Sequence, residues 1–155
     1  MGAPHRPTPS IRAARRDDLN TLLELEHASF DHDRVSRAQF RRHLTNANAC
    51  VLVAEDTDAV RGCALLFFRR DSRQARLYSI AIAHPARGRG LGAALLQAAE
   101  REARARDCDT LRLEVRTDNA PAIRLYERHG YLRGARESGF YENGADAWRY
   151  VKTLD

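Results

Sequence analysis

Residues 110–115, TLRLEV, alternate polar and apolar positions, so Leu111, Leu113 and Val115 share one face of a predicted strand and Arg112 and Glu114 the other. A short apolar-polar alternation marks SIRAAR (10–15) as a strand, and the runs ACVLVAED (49–56), AVRGCALLFFRR (59–70) and QARLYSIAIA (74–83) follow as strands, with Asp56-Thr57-Asp58 turning the second into the third. His84-Pro85 ends the fourth, because proline cannot donate to a ladder. YLRGARES (131–138) and DAWRYVKTL (146–154) close the chain as two more strands.

Between these runs the period lengthens to that of a helix. Leu19, Leu22, Leu23, Leu25 and Ala28 recur at helical spacing behind Asp17 or Asp18 as cap. Ser36 and Gln39 make a capping box for a second helix reaching about Leu44. The alanine-rich stretch from Gly90 to Arg106 predicts a long third helix. DNAPAIRLYERHG (118–130) predicts a fourth, capped by Asn119, with Pro121 in its first turn and Gly130 as terminator. Four strands precede the long helix, so strict βαβ alternation is excluded. The order predicts an α+β fold, a mixed and largely antiparallel sheet flanked by helices.

With 155 residues, no repeat and no linker, the sequence reads as a disordered lead-in (1–9) and a single domain (10–155). Residues 43% hydrophobic and 30% charged suit a soluble protein. No run approaches the roughly 20 apolar residues of a membrane span. The first ten residues lack a secretion signal, so the expected location is the cytoplasm. Cys50, Cys63 and Cys108 have no metal-ligand spacing and read as ordinary buried thiols. The net charge of +5 and pI near 9.6 come almost entirely from arginines dispersed along the chain. Dispersion of that kind supports a nucleic-acid partner only weakly.

The candidate chemistry begins at ARGRGLGAAL (86–95). A strand, a glycine turn and a long helix together suit an anion, since helix-end amides and the dipole favour negative charge. Gly88, Gly90 and Gly92 admit close backbone approach, and Arg87 and Arg89 add charge. The stretch lacks the Gly-Lys-Ser/Thr of a P-loop, and its glycines do not fit a dinucleotide fingerprint. Taken by itself it also fits a plain flexible turn. Glu114 fits a general base or a solvent-facing charge, and Tyr126 by itself fits a core-edge aromatic with a satisfied hydroxyl. His27, Asp31, His32 and Asp33 match no known metal-ligand spacing, so no metal is expected. His84 and His129 receive no role.

The residues converge on a resemblance. Arg87–Gly92, RGRGLG, is similar to the acyl-CoA signature (Arg/Gln-x-x-Gly-x-Gly/Ala) of the GNAT N-acetyltransferases. LEVRTDNAPAIRLYERHGY, Leu113–Tyr131, resembles the following segment of the ribosomal-protein N-terminal alanine acetyltransferases within that family, at the matching separation. The likeness runs from about Leu77 to the C-terminus, half of the chain. It implies acetyl-CoA as co-substrate, wedged between LYSIAI and LRLEV. Pantetheine would meet the backbone of Ile80, Ala81 and Ile82, and the pyrophosphate would meet Arg87, Gly88, Arg89, Gly90, Leu91, Gly92 and Ala93. Asn119 would touch the cofactor, Glu114 and Tyr126 would be proton acceptor and donor, and an N–H beside Ile82 would hold the oxyanion.

The implied acceptor is the N-terminal α-amine of a protein or peptide. An α-amine with pKa near 8 is easier to deprotonate than a lysine near 10.4, by about 3 kcal/mol. A small amine, or no catalysis at all in an acyl-CoA-binding module, are the alternatives. A monomer or a homodimer would serve equally. SFDHDRVS (29–36) departs from the Pro-Trp-Ser type of turn that shapes the acceptor pocket in those relatives. In GFYENG, Tyr141 keeps the second of their tyrosine pair and would contact the acceptor, while Phe140 replaces the first.

Overall fold

The computed structural model describes residues 9–88 and 90–155. The expected lead-in (1–9), apart from Pro9, and Arg89 therefore lie outside the described residues. The elements run β1 (Ser10–Ala13), α1 (Leu19–Ser29), α2 (Arg37–Thr45), β2 (Ala49–Asp56), β3 (Ala59–Phe67) and β4 (Gln74–Ile82). They continue with α3 (Leu91–Ala105), β5 (Thr110–Arg116), α4 (Ala120–Arg128), β6 (Leu132–Glu137) and β7 (Ala147–Thr153). One seven-stranded sheet has the order β1-β2-β3-β4-β5-β7-β6, antiparallel at every pairing except β4 with β5. This is the α+β architecture the sequence order predicts.

The strand period sorts the core onto two faces. Leu66, Ala75, Leu77, Leu111, Leu113, Val115 and Tyr150 are buried with Leu91, Leu95, Leu96 and Ala99 of α3. Val51, Val53, Cys63, Leu65 and Ala81 are buried on the other face with Leu22 and Leu25 of α1 and Phe40 of α2. Glu100 of α3 is 5% exposed, accepting from Tyr131 Oη at 2.9 Å and pairing with Lys152 Nζ at 3.1 Å. The network satisfies a carboxylate that burial alone would penalise, and it ties α3 to β7.

Local chemistry explains most boundaries. Ser36 Oγ accepts the Gln39 N–H and Gln39 Oε1 accepts the Ser36 N–H, the expected capping box. Thr57 and Asp58 both lie at positive φ (54° and 64°), the backbone that a two-residue hairpin requires. Asn119 Oδ1 accepts the Ala122 N–H at 3.3 Å and opens α4.

Other expectations need correction. Neither Asp17 nor Asp18 makes a side-chain cap on α1. Residues 16–18 form a 3₁₀ turn, in which Asp18 Oδ2 accepts the Arg15 N–H at 2.7 Å and pairs with Arg12 at 2.8 Å. The third strand stops at Phe67 rather than Arg70, where the chain turns towards β4. Cys63 and Cys108 are buried, but Cys50 is only half-buried, and all three are free thiols.

Candidate active site

β4 and β5 pair through Gln74↔Thr110, Ala75↔Leu111, Arg76↔Arg112 and Leu77↔Leu113, and there the pairing ends. Beyond it β4 continues beside β3 alone, and β5 beside β7 alone. A register shift in β3 between Leu65 and Leu66 leaves Tyr78 as an extra residue on β4 at this point. The two strands therefore part into a fork, with Tyr78 and Glu114 as its first residues. The β4 edge facing the fork, Ile80 to Ile82, has no strand neighbour on that side. Its backbone groups are the ones expected to meet an extended ligand. Ile80 and Ile82 pack on the α3 face and Ala81 on the α1 face.

At one end of the fork lies the glycine turn. Gly88 and Gly90 adopt φ of +84° and +79°, and a Cβ at either would meet nothing within 4 Å. Glycine is needed there for the left-handed backbone, which a side chain would strain. Gly90 caps α3 without a side chain, leaving the first-turn amides of Leu91, Gly92 and Ala93 for an outside acceptor. A 15-residue helix whose N-cap makes no side-chain hydrogen bond fits a pyrophosphate. Arg87 is exposed beside it. Gly92 has a different reason: a Cβ there would come within 3.2 Å of Leu125 Cδ2 on α4. Beside the close ligand approach expected at Gly92, the fit of α3 against Leu125 is a second constraint on that position.

Glu114 projects from the face opposite Leu113 and Val115. Its side chain is 3% exposed, so it is no solvent-facing charge. Arg76 Nε lies 3.4 Å, Arg149 Nη2 3.5 Å and Arg112 Nε 3.7 Å from its oxygens. Tyr126 belongs to the other face, among the α3-side core, 7% exposed with its ring 5.9 Å from that of Tyr131. Burial pushes its hydroxyl well above the ordinary tyrosine range, with a smaller push from Tyr141. It is held as a neutral O–H donor. Asn119 stands at the α4 start with Oδ1 engaged in capping.

A model of the acetyltransferase (GNAT) family matches residues 16–131, three-quarters of the chain. The chain belongs to this family. It is accordingly an acetyl-CoA-dependent N-acetyltransferase. A Bacillus subtilis (strain 168) protein named for [ribosomal protein bS18]-alanine N-acetyltransferase activity is 31% identical over 139 residues, covering 89% of this chain and 91% of its own. The crystal structure of the ribosomal-protein-S18-alanine N-acetyltransferase from Escherichia coli superposes with a TM-score of 0.83 at 24% identity. It covers 96% of this chain and 95% of that one. The NatC complex bound to Gag peptide and CoA gives 0.82 at 21% identity, covering 95% and 99%. At these identities the two structures bear on the fold alone.

Two loops meet beside the fork, α1–α2 and β6–β7. Tyr141 is half-buried, with the Arg116 guanidinium 5.7 Å from its ring centroid. Burial, then the Glu114 charge, pushes its hydroxyl up to about 12. Asp33, in the α1–α2 loop at φ +57°, accepts the Glu142 N–H at 3.4 Å and links that loop to the β6–β7 loop. Phe140 is 38% exposed beside Tyr141. Tyr78, 37% exposed, stacks edge-on against Phe67 at 5.5 Å, and its hydroxyl is pushed up by burial and by Glu26. Tyr78, Arg76 and Arg149 were not marked in the sequence. Only their place at the fork singles them out, and that depends on the β3 register shift and on cross-strand pairing.

Proposed function

We propose that the protein transfers the acetyl group of acetyl-CoA to the N-terminal α-amine of a protein or peptide, in a single domain spanning 10–155 and in the cytoplasm. The observation carrying this reading is the fork after Leu77 and Leu113, with Glu114 on one face of the sheet and Tyr126 on the other. The likeness to a relative named for alanine N-acetylation supports the α-amine as acceptor.

In this mechanism Gly88, Gly90 and the first-turn amides of α3 hold the pyrophosphate, with Arg87 and Arg89 beside them. The free edge at Ile80–Ile82 aligns the pantetheine, and Asn119 meets the cofactor from the α4 start. Only an uncharged amine attacks a thioester, so Glu114 takes its proton, directly or through water. The new C–N bond forms as the carbonyl oxygen gains charge, which an N–H beside Ile82 stabilises. When the C–S bond breaks, Tyr126 gives its proton to the departing sulfur. Tyr141 holds the acceptor backbone. No covalent bond to the enzyme and no metal is required.

The test is thiol release from acetyl-CoA with a panel of peptides and small amines, followed by mass mapping of the acetylated nitrogen. Acetyl placed on a peptide α-nitrogen supports the reading. Turnover confined to small amines or lysine side chains overturns the acceptor, and cofactor binding with no turnover overturns catalysis.

A further inference from the structure

The sheet face that carries Glu114 is only half covered. α1 packs on β3 and β4 and α2 on β2, and their shared core takes nothing from β5 or β7. On the bare part stand Arg76, Arg112 and Arg149, with side chains 31%, 31% and 34% exposed. All three point at one carboxylate, yet at 3.4, 3.7 and 3.5 Å. Those separations exceed the roughly 2.7–2.9 Å of a close charge-assisted hydrogen bond. Arg149 Nη1 also reaches Glu137 at 3.2 Å. Three guanidinium groups against these two carboxylates leave one positive charge in excess. The Nε–H of Arg149 is buried without an acceptor. Holding Glu114 in place demands neither the surplus cation nor the orphaned donor, and an unpaired buried donor is costly.

Acidic side chains also act near Tyr141 and Tyr78. Asp33 acts on both hydroxyls, Glu142 on that of Tyr78, and Asp31 lies close enough to act on Arg116. The loop side of the cleft thus carries Asp33 and Glu142 together with Arg116, and the strand floor carries the three arginines.

We infer that Arg76, Arg112 and Arg149 form an anion subsite that selects acceptors carrying a carboxylate close to the reacting amine. For a protein acceptor this is an acidic side chain at the second or third residue. The subsite rests on the α-amine reading above for that form of acceptor only. The amine would reach Glu114, and the carboxylate would settle on the strand floor against the exposed parts of the three guanidinium groups. An arginine fork is suited to such a group because its donors match the two carboxylate oxygens.

Three peptides identical except for Asp, Ser or Lys at the second position, all beginning with Ala, test this by kcat/KM. The Asp peptide should exceed the Ser peptide by about tenfold, near the 1.4 kcal/mol that one charged contact can supply. Equal values, or preference for Lys, overturn the inference. In Arg112→Gln and Arg149→Gln the Asp:Ser ratio should fall towards one, whatever happens to the absolute rate. A role confined to holding Glu114 would slow all three peptides by the same factor and leave the ratio intact, which also overturns it. If no peptide reacts, the protein-acceptor reading has failed separately, and alanine against ethylamine decides the subsite. Preference for the amino acid supports it, and equal turnover rejects it.

Discussion

Glu114 and Tyr126 stand on opposite faces of the sheet, one among arginines on the α1 side and the other inside the core beneath α3. The eleven residues between them pass from β5 around a turn into α4, and the fork is where the two faces communicate. An acceptor attacking from the Glu114 side would expel sulfur towards Tyr126, so one displacement uses both. Glu114→Gln should lower kcat by about 10²–10⁴-fold, the usual scale of lost general-base catalysis, while calorimetry finds acetyl-CoA binding unchanged. Tyr126→Phe should lower kcat with the same binding, and the loss should shrink with an acyl donor whose leaving group needs no protonation. A Glu114→Gln enzyme with full kcat would remove the carboxylate from the chemistry.

The glycines of the turn separate into two kinds, and their variants should separate likewise. Gly90→Val places a branched side chain at φ +79°, where nothing crowds it but the backbone must shift. Acetyl-CoA affinity should fall well before thermal stability does. Gly92→Val instead meets Leu125, so its main effect should be on unfolding, at about 1–3 kcal/mol for an overpacked contact. Denaturant midpoints measured beside acetyl-CoA titrations distinguish the two. Unchanged affinity in Gly90→Val would return the turn to a purely structural role.

The Asp33 charge acts on the hydroxyls of both Tyr78 and Tyr141, and Tyr78 acts on that of Tyr141. Both hydroxyls are kept protonated by burial, and both can donate to an acceptor carbonyl. Tyr141→Phe and Tyr78→Phe should each raise the acceptor KM by about tenfold, the worth of one hydrogen bond to a backbone group, and leave the acetyl-CoA KM alone. A rise in the acetyl-CoA KM instead would place these rings on the cofactor side.

The fold was legible where a local signal dictated it. Strict alternation in TLRLEV put Glu114 opposite the buried leucines, and the Ser36–Gln39 pair announced α2 by its own hydrogen bonds. Gly90 and Asn119 likewise mark helix starts through backbone chemistry confined to a few residues. What stayed hidden depends on partners distant in sequence. The parting of β4 from β5 requires knowing that β7 inserts beside β5 and that β3 shifts register opposite Tyr78. Of the three arginines around Glu114, only Arg112 shares its strand and shows in the alternation; Arg76 and Arg149 come from β4 and β7, and no spacing along the chain reveals them. Asp18 misled for the opposite reason: a good cap residue was taken by a nearer donor, the Arg15 N–H, and by Arg12.

Glu26 of α1 offers a test that depends on pH. It is 2% exposed, Oε2 accepts the Val35 N–H at 2.9 Å, and Oε1 is buried without a partner. Burial raises its pKa above the usual carboxylate range, against a smaller lowering by the Val35 N–H and the Arg34 charge. An acid whose folded pKa lies above its unfolded value, about 4.3 for glutamate, contributes fully only while protonated in both states. Its contribution is therefore intact below about pH 4 and is lost as pH rises through the folded value. Glu26→Gln keeps an acceptor for Val35 and has no proton to lose. The variant should match the parent in unfolding free energy near pH 4 and exceed it increasingly at higher pH, levelling off above the folded pKa. Each unit of elevation is worth about 1.4 kcal/mol. Denaturant unfolding of both proteins across pH 4–9 measures the difference, and a gap that stays constant over that range would mean Glu26 titrates alike folded and unfolded.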